Sequence, residues 1–312
     1  MSAGPAASEP TQQRFTEALD SLVVQLRADR SILAAILCGS LSHDRVWDKS
    51  DIDLMLVTID DRKIETTGKA LYSNGVNVHA LLVPRTAFRR IVEGSLRNSF
   101  LHSYLARGRL LFTQDPSLAD LFDTLGAIGG ERDAQVQLLA AGTQALGPYY
   151  KARKWFTTRA DLEYSALYIL YTATPLAEIE VIQARRLVDR EVLLEALRLN
   201  PSFFRAIYTD LLNSPKTAVS VKAALDAIGQ YLSERAAVLF APVLDHLRDA
   251  NEVRTASEIE NHFVRNFGIE GVTAACEYLA DQGWLGKTGA SFQITRRSNA
   301  LVEELAFFHH RD

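Results

Sequence analysis

The chain has 312 residues, 47% of them hydrophobic and 23% charged, and a formal net charge of -4. That balance supports buried cores in two or three domains, and it argues against a protein that coats nucleic acid, because there is no global basic field. Two cysteines far apart in sequence, Cys38 and Cys276, argue against a disulfide framework or a zinc motif and suit a reducing cytoplasm.

Residues 1–11 are small, polar and proline-containing, without the basic start and apolar run of a secretory signal, and they read as a disordered tail. From 12 to 29, Phe15, Leu19, Leu22, Val23 and Leu26 recur at helical spacing. The run 32–38 is apolar throughout and stops at Gly39-Ser40, the pattern of a strand buried on both faces. A polar loop over 41–50 leads into a second strand over 52–59. Gly75 marks a turn before a third strand at 76–83, closed by Pro84. Residues 86–107 carry Phe88, Ile91, Leu96, Phe100, Leu101 and Tyr104, which predict one long helix ended by Gly108, with a short edge strand at 110–113.

Beyond 115 the periodicity is helical to about 248, with Pro148, Pro175, Pro201, Pro215 and Pro242 as breaks, and this predicts a helical bundle. Residues 255–264 and 271–281 then read as two helices joined around Asn266-Phe267-Gly268. A small hairpin follows, with strands at 284–286 and 291–295 and a turn at 287–290; the order is that of a winged helix. The expected fold class is therefore α+β, with domains at 12–115, 116–248 and 249–312. The most apolar stretches, 165–174 and 236–243, fall short of the roughly 20 residues a membrane span needs, so a soluble, cytoplasmic protein is expected.

The chemistry is concentrated near the two early strands. In an extended strand alternate side chains share a face, so Asp51 and Asp53 point the same way while Ile52 and Leu54 point into the core. Like charges held side by side repel, and a divalent cation removes that conflict. Magnesium is the expected guest, because it takes carboxylate and phosphate oxygens together. Gly39-Ser40 brings a backbone free of side-chain obstruction, and a hydroxyl, to where a triphosphate could sit.

The stretch from Ile36-Leu37-Cys38-Gly39-Ser40 to Ser50-Asp51-Ile52-Asp53-Leu54 resembles the signature of the DNA polymerase beta nucleotidyltransferase superfamily, in particular its small bacterial, aminoglycoside-nucleotidyltransferase-like members. The resemblance is specific over about 30–60 and looser to about 115. It implies a mixed sheet with flanking helices, magnesium, ATP or another nucleoside triphosphate, and transfer of a nucleoside monophosphate to a hydroxyl. Asp51 and Asp53 fall on the family's metal-ligand positions, Gly39 and Ser40 on its phosphate-contacting ones, and Ser50 joins them as a cofactor-binding candidate. A third carboxylate usual in the family is missing, since the polar face of the third strand carries Asn77 and His79. His79 as ligand or base, Glu163 from the helical domain, or a site that binds without turnover are the three alternatives.

Tyr149, Tyr150, Lys151, Arg153, Lys154 and Arg159 make a basic and aromatic cluster in the helical region. Lys151 and Lys154 are candidates to reach the triphosphate across an interdomain cleft, beside the reading of a solvated helix face. The second helix of the winged-helix segment carries Glu277 and Asp281 and no Lys or Arg, which favours packing or protein contact over duplex DNA. The acceptor hydroxyl is not legible, and its determinants are expected in the helical domain and across a cleft or the partner of a homodimer. The competing function is a catalytically degenerate, nucleotide-sensing regulator whose winged helix binds DNA or a protein; a scaffold with neither role is a third.

Overall fold

A computed structural model describes residues 9–43, 46–61, 66–94, 104–126, 131–188, 191–295, 297 and 299–310. The chain divides into two compact units, residues 1–129 and 130–312. The first unit includes a short helix beyond residue 115, and residues 130–312 cluster as one unit.

In the first unit, α1 (Glu9–Ala28) precedes β1 (Ile32–Cys38), a 3-10 turn (Ser40–His43), β2 (Ile52–Thr58), β3 (Thr67–Ser73), β4 (Val76–Pro84), α2 (Arg85–Gly94), β5 (Arg109–Thr113) and α3 (Pro116–Asp123). The helix begins at Glu9, so residues 9–11 of the expected tail are helical, and residues 1–8 lie outside the described residues. The five strands form one mixed sheet in the order β3-β4-β2-β1-β5. β2 runs parallel to β4, whereas β1 is antiparallel to both β2 and β5. β1 and β2 are buried almost end to end because both faces of the sheet are covered. On one face Phe15, Ala18, Leu19 and Leu22 of α1 pack on Leu37, Leu54 and Val78. On the other, Phe88 and Val92 of α2 join Leu105 and Leu118 over Ile36, Met55 and Val83.

One strand was not expected. β3 has no counterpart among the expected strands, because its sequence, Thr-Gly-Lys-Ala-Leu-Tyr-Ser, is mostly exposed at a sheet edge and lacks an apolar alternation. Of the long helix expected over 86–107, the stretch up to Gly94 is helical in α2, and residues 95–103 lie outside the described residues. The caps are explicit. Asp60 accepts from the Thr86 amide and hydroxyl at the start of α2, and Asp115 caps α3 while pairing with Arg85 at 2.7 Å.

The second unit contains α4 (Glu131–Arg159), α5 (Leu162–Gln183), α6 (Val192–Leu199), α7 (Pro201–Phe204), α8 (Asp210–Asn213), α9 (Ala218–Leu239) and α10 (Ala241–Ala250). Pro148 and Pro175 lie inside α4 and α5 and do not break them. Pro175 is buried among Ala173, Leu176 and Ala177, and α4 packs along α5, so tertiary burial outweighs the local cost of proline. Two buried hydroxyls in this packing are satisfied by the backbone: Ser165 donates to the Ala152 carbonyl and Thr172 to that of Tyr168.

The remaining elements are β6 (Arg254–Thr255), α11 (Ala256–Phe267), α12 (Val272–Asp281), β7 (Leu285–Gln293) and β8 (Leu301–His309), with strand order β6-β8-β7. Both helices fall where the spacing predicts them; the hairpin does not. Residues 287–290, expected as a turn, continue β7, which pairs with β8 from Leu285–His309 to Gln293–Leu301. The misreading comes from Gly286 and Gly289. Each sits where an added Cβ would run into a cross-strand side chain, Phe308 and Glu303 respectively, so these glycines mark close approach and not a turn. No described helix is long and apolar enough to cross a membrane.

Candidate active site

The site grows out of the register of the three central strands. Cys38 at the end of β1 pairs with Asp53 on β2, and Asp53 pairs with His79 on β4. Paired residues share a face, so these side chains line up across the sheet on the side of α2. Gly39, just after β1, takes φ +67°, in the left-handed region, and an added Cβ there would collide with Asp53 Oδ2. Glycine is required on both counts: the backbone turn and the resting place of a carboxylate.

Asp51 stands just ahead of β2 and one alternation from Asp53. The His79 imidazole lies between them, with Nε2 3.7 Å from Asp51 Oδ2 and Nδ1 4.0 Å from Asp53 Oδ1. These separations exceed hydrogen-bond length, and the ring is 61% exposed, so the histidine is a loosely held neighbour of both acids and contributes little as a salt bridge. Cys38 plays a different part. Burial, reinforced by the charge of Asp53 and opposed by a hydrogen bond with Tyr104, pushes its thiol up to about 12, so it packs as an inert core side chain.

The other expected residues divide. Ser50 closes a tight turn: its hydroxyl oxygen accepts from the Trp47 amide at 3.0 Å, and its own amide donates to the Trp47 carbonyl at 2.8 Å. Gly39 O accepts from the Ser42 hydroxyl at 2.7 Å, which fixes the 3-10 turn opened by Ser40; the Ser40 hydroxyl itself lies outside the described residues. Lys151 and Lys154 stand on α4, in the other compact unit. Lys151 Nζ lies 5.4 Å from the centre of the Tyr168 ring, while Lys154 is solvent-exposed. Glu163 is an exposed residue in the first turn of α5.

A cavity of about 330 Å³ opens beside the acids, lined among others by Asp53, His79, Gly68, Ala70, Leu81 and Tyr104. Sequence reasoning missed Gly68 and Ala70 because β3 was not recognised. Both line the cavity from the strand next to His79, since Ala70 pairs with His79 and Gly68 with Leu81. Among the described residues no three His, Cys, Asp or Glu side chains form a closed metal cage. Asp53 opens to this cavity, and two neighbouring carboxylates are the kind of donor set that suits an ion completing its shell with a ligand's oxygens.

No family profile and no curated protein matches the chain. Among solved structures it is similar to a nucleotidyltransferase-like protein from Exiguobacterium sibiricum 255-15, with a TM-score of 0.62 at 17% identity over 94% of this chain and 98% of that one. Likeness at that identity speaks to architecture, and the chain therefore has a nucleotidyltransferase-like fold.

Proposed function

We propose that the chain is a magnesium-dependent nucleotidyltransferase that moves a nucleoside monophosphate from a nucleoside triphosphate, ATP in the simplest case, to the hydroxyl of an acceptor. The observation that carries this reading is the convergence of Asp51, Asp53 and His79 beside a glycine whose missing Cβ makes room for the Asp53 carboxylate. The likeness of fold supports it.

Asp51 and Asp53 would hold magnesium, which supplies charge neutralisation on the phosphate oxygens when bound. The turn backbone that follows Gly39 would contact the triphosphate. His79, within 4.0 Å of both acids and open to the cavity, would take the proton of the attacking hydroxyl as its oxygen bonds to the α-phosphorus and pyrophosphate departs. The segment 249–312 is read as a winged-helix-like element, and the acids of α12 support a packing or protein-contact role for it.

Pyrophosphate release from each nucleoside triphosphate, measured with magnesium against a panel of hydroxyl acceptors, tests the reading. Turnover is expected from the wild type and absent in Asp51→Ala/Asp53→Ala; equal turnover in the two proteins would overturn it.

A further inference from the structure

Within the second unit, α4, α9 and the end of α12 surround a cavity of about 520 Å³, a size typical of small-molecule sites. Its floor is phenolic. Tyr149 and Tyr278 are 6% and 4% exposed, and an added Cβ at Gly229 of α9 would come within 2.5 Å of the Tyr149 hydroxyl. Glycine is a poor helix-interior residue, and the room it gives Tyr149 accounts for its presence. Tyr149 hydrogen-bonds Arg153, whereas the Tyr278 hydroxyl is fully buried with no hydrogen-bond partner among the described residues. A buried hydroxyl left unmet is costly, and a ligand acceptor would meet it.

The rim carries the charges. Lys222 and Asp226 close on each other at 2.6 Å, which leaves Arg153 and Asp281 as the lining charges without an ion-pair partner among the described residues. Tyr150 stands between their influences: burial chiefly, and then the charge of Asp281, raise its phenol to about 12, while Arg153 pulls the other way. A simple anion would satisfy Arg153 and face Asp281 unfavourably; a simple cation would do the reverse.

We infer that this cavity binds a small zwitterion of the amino-acid class, with its carboxylate on Arg153 and the Tyr278 hydroxyl, its ammonium on Asp281, and its carbon skeleton against Tyr150 and Leu225. The site uses residues of the second unit alone and does not depend on the reading of Asp51 and Asp53.

Thermal unfolding of the full chain with each of the standard free amino acids tests this, beside the corresponding decarboxylated amines and N-acetyl derivatives. At roughly a hundredfold excess over Kd at least one amino acid is expected to raise the midpoint by about 5 °C, while its half-charged counterparts do not. Arg153→Gln and Asp281→Asn, both at solvent-exposed positions, are each expected to weaken binding about tenfold or more. Asp51→Ala/Asp53→Ala should retain the shift, which separates this site from the proposed active site. The inference is overturned if no free amino acid shifts the wild type, if a half-charged counterpart binds equally well, or if the shift survives in both charge variants.

Discussion

At Gly39 a single hydrogen atom in place of a side chain serves two ends, a left-handed turn and contact with the Asp53 carboxylate. Gly39→Ala is therefore expected to destabilise the chain by about 1–2 kcal/mol through the backbone alone, and to displace Asp53 as well. Denaturant midpoints and triphosphate affinity check this; an unchanged affinity would show that Asp53 had not moved. His79→Ala should lower turnover by about 10²–10⁴-fold while leaving magnesium-triphosphate binding nearly intact, the split expected of a proton acceptor and not of a metal ligand. The pair of acids and the glycine were legible in the sequence because strand alternation is a local rule. That His79 stands between them was only half legible: alternation put it on a polar face, but its pairing with Asp53 required the parallel β2–β4 register, which no short stretch encodes.

Among the elements, those with a strong local signature are the ones the sequence predicted. β1 and β2 are continuous apolar runs, and α11 opens with a capping box between Thr255 and Glu258 and ends at Gly268 in the left-handed region. The failures occur where glycine or proline answers to a distant neighbour. Gly286 and Gly289 open space for side chains of β8, and Pro175 is held in helix by burial. Gly286→Val should accordingly destabilise the β7–β8 sheet by about 1–3 kcal/mol, read as a shift in the unfolding midpoint. Asp60 offers a test with a pH sign. Its hydrogen bond from the Thr86 amide is the largest cause holding its carboxyl below the ordinary 3.8, opposed by slight desolvation. A carboxyl depressed on folding adds stability above its unfolded pKa and loses it as pH falls through the lower folded value. Asp60→Ala should thus cost about 1 kcal/mol at neutral pH as a lost cap, with the gap to wild type narrowing below about pH 4. Solvent exposure keeps the electrostatic part small.

On the scale of the whole molecule, the two units have separate apolar interiors, one on either side of the five-stranded sheet and one among α4, α5 and α9. Pieces comprising residues 9–126 and 131–312 are each expected to unfold cooperatively when expressed alone, as judged by calorimetry; a molten piece would show that its core is incomplete. The grouping of the C-terminal strands and helices with the bundle was not legible, because domain association follows from surface complementarity and leaves no periodic trace.

The most direct measurement is equilibrium binding of ATP to wild type and to Asp51→Ala/Asp53→Ala, each with magnesium and with chelator. Magnesium should strengthen binding to the wild type by at least tenfold and have no effect on the double variant. Equal affinities in all four conditions would contradict a carboxylate-held metal as the basis of this site.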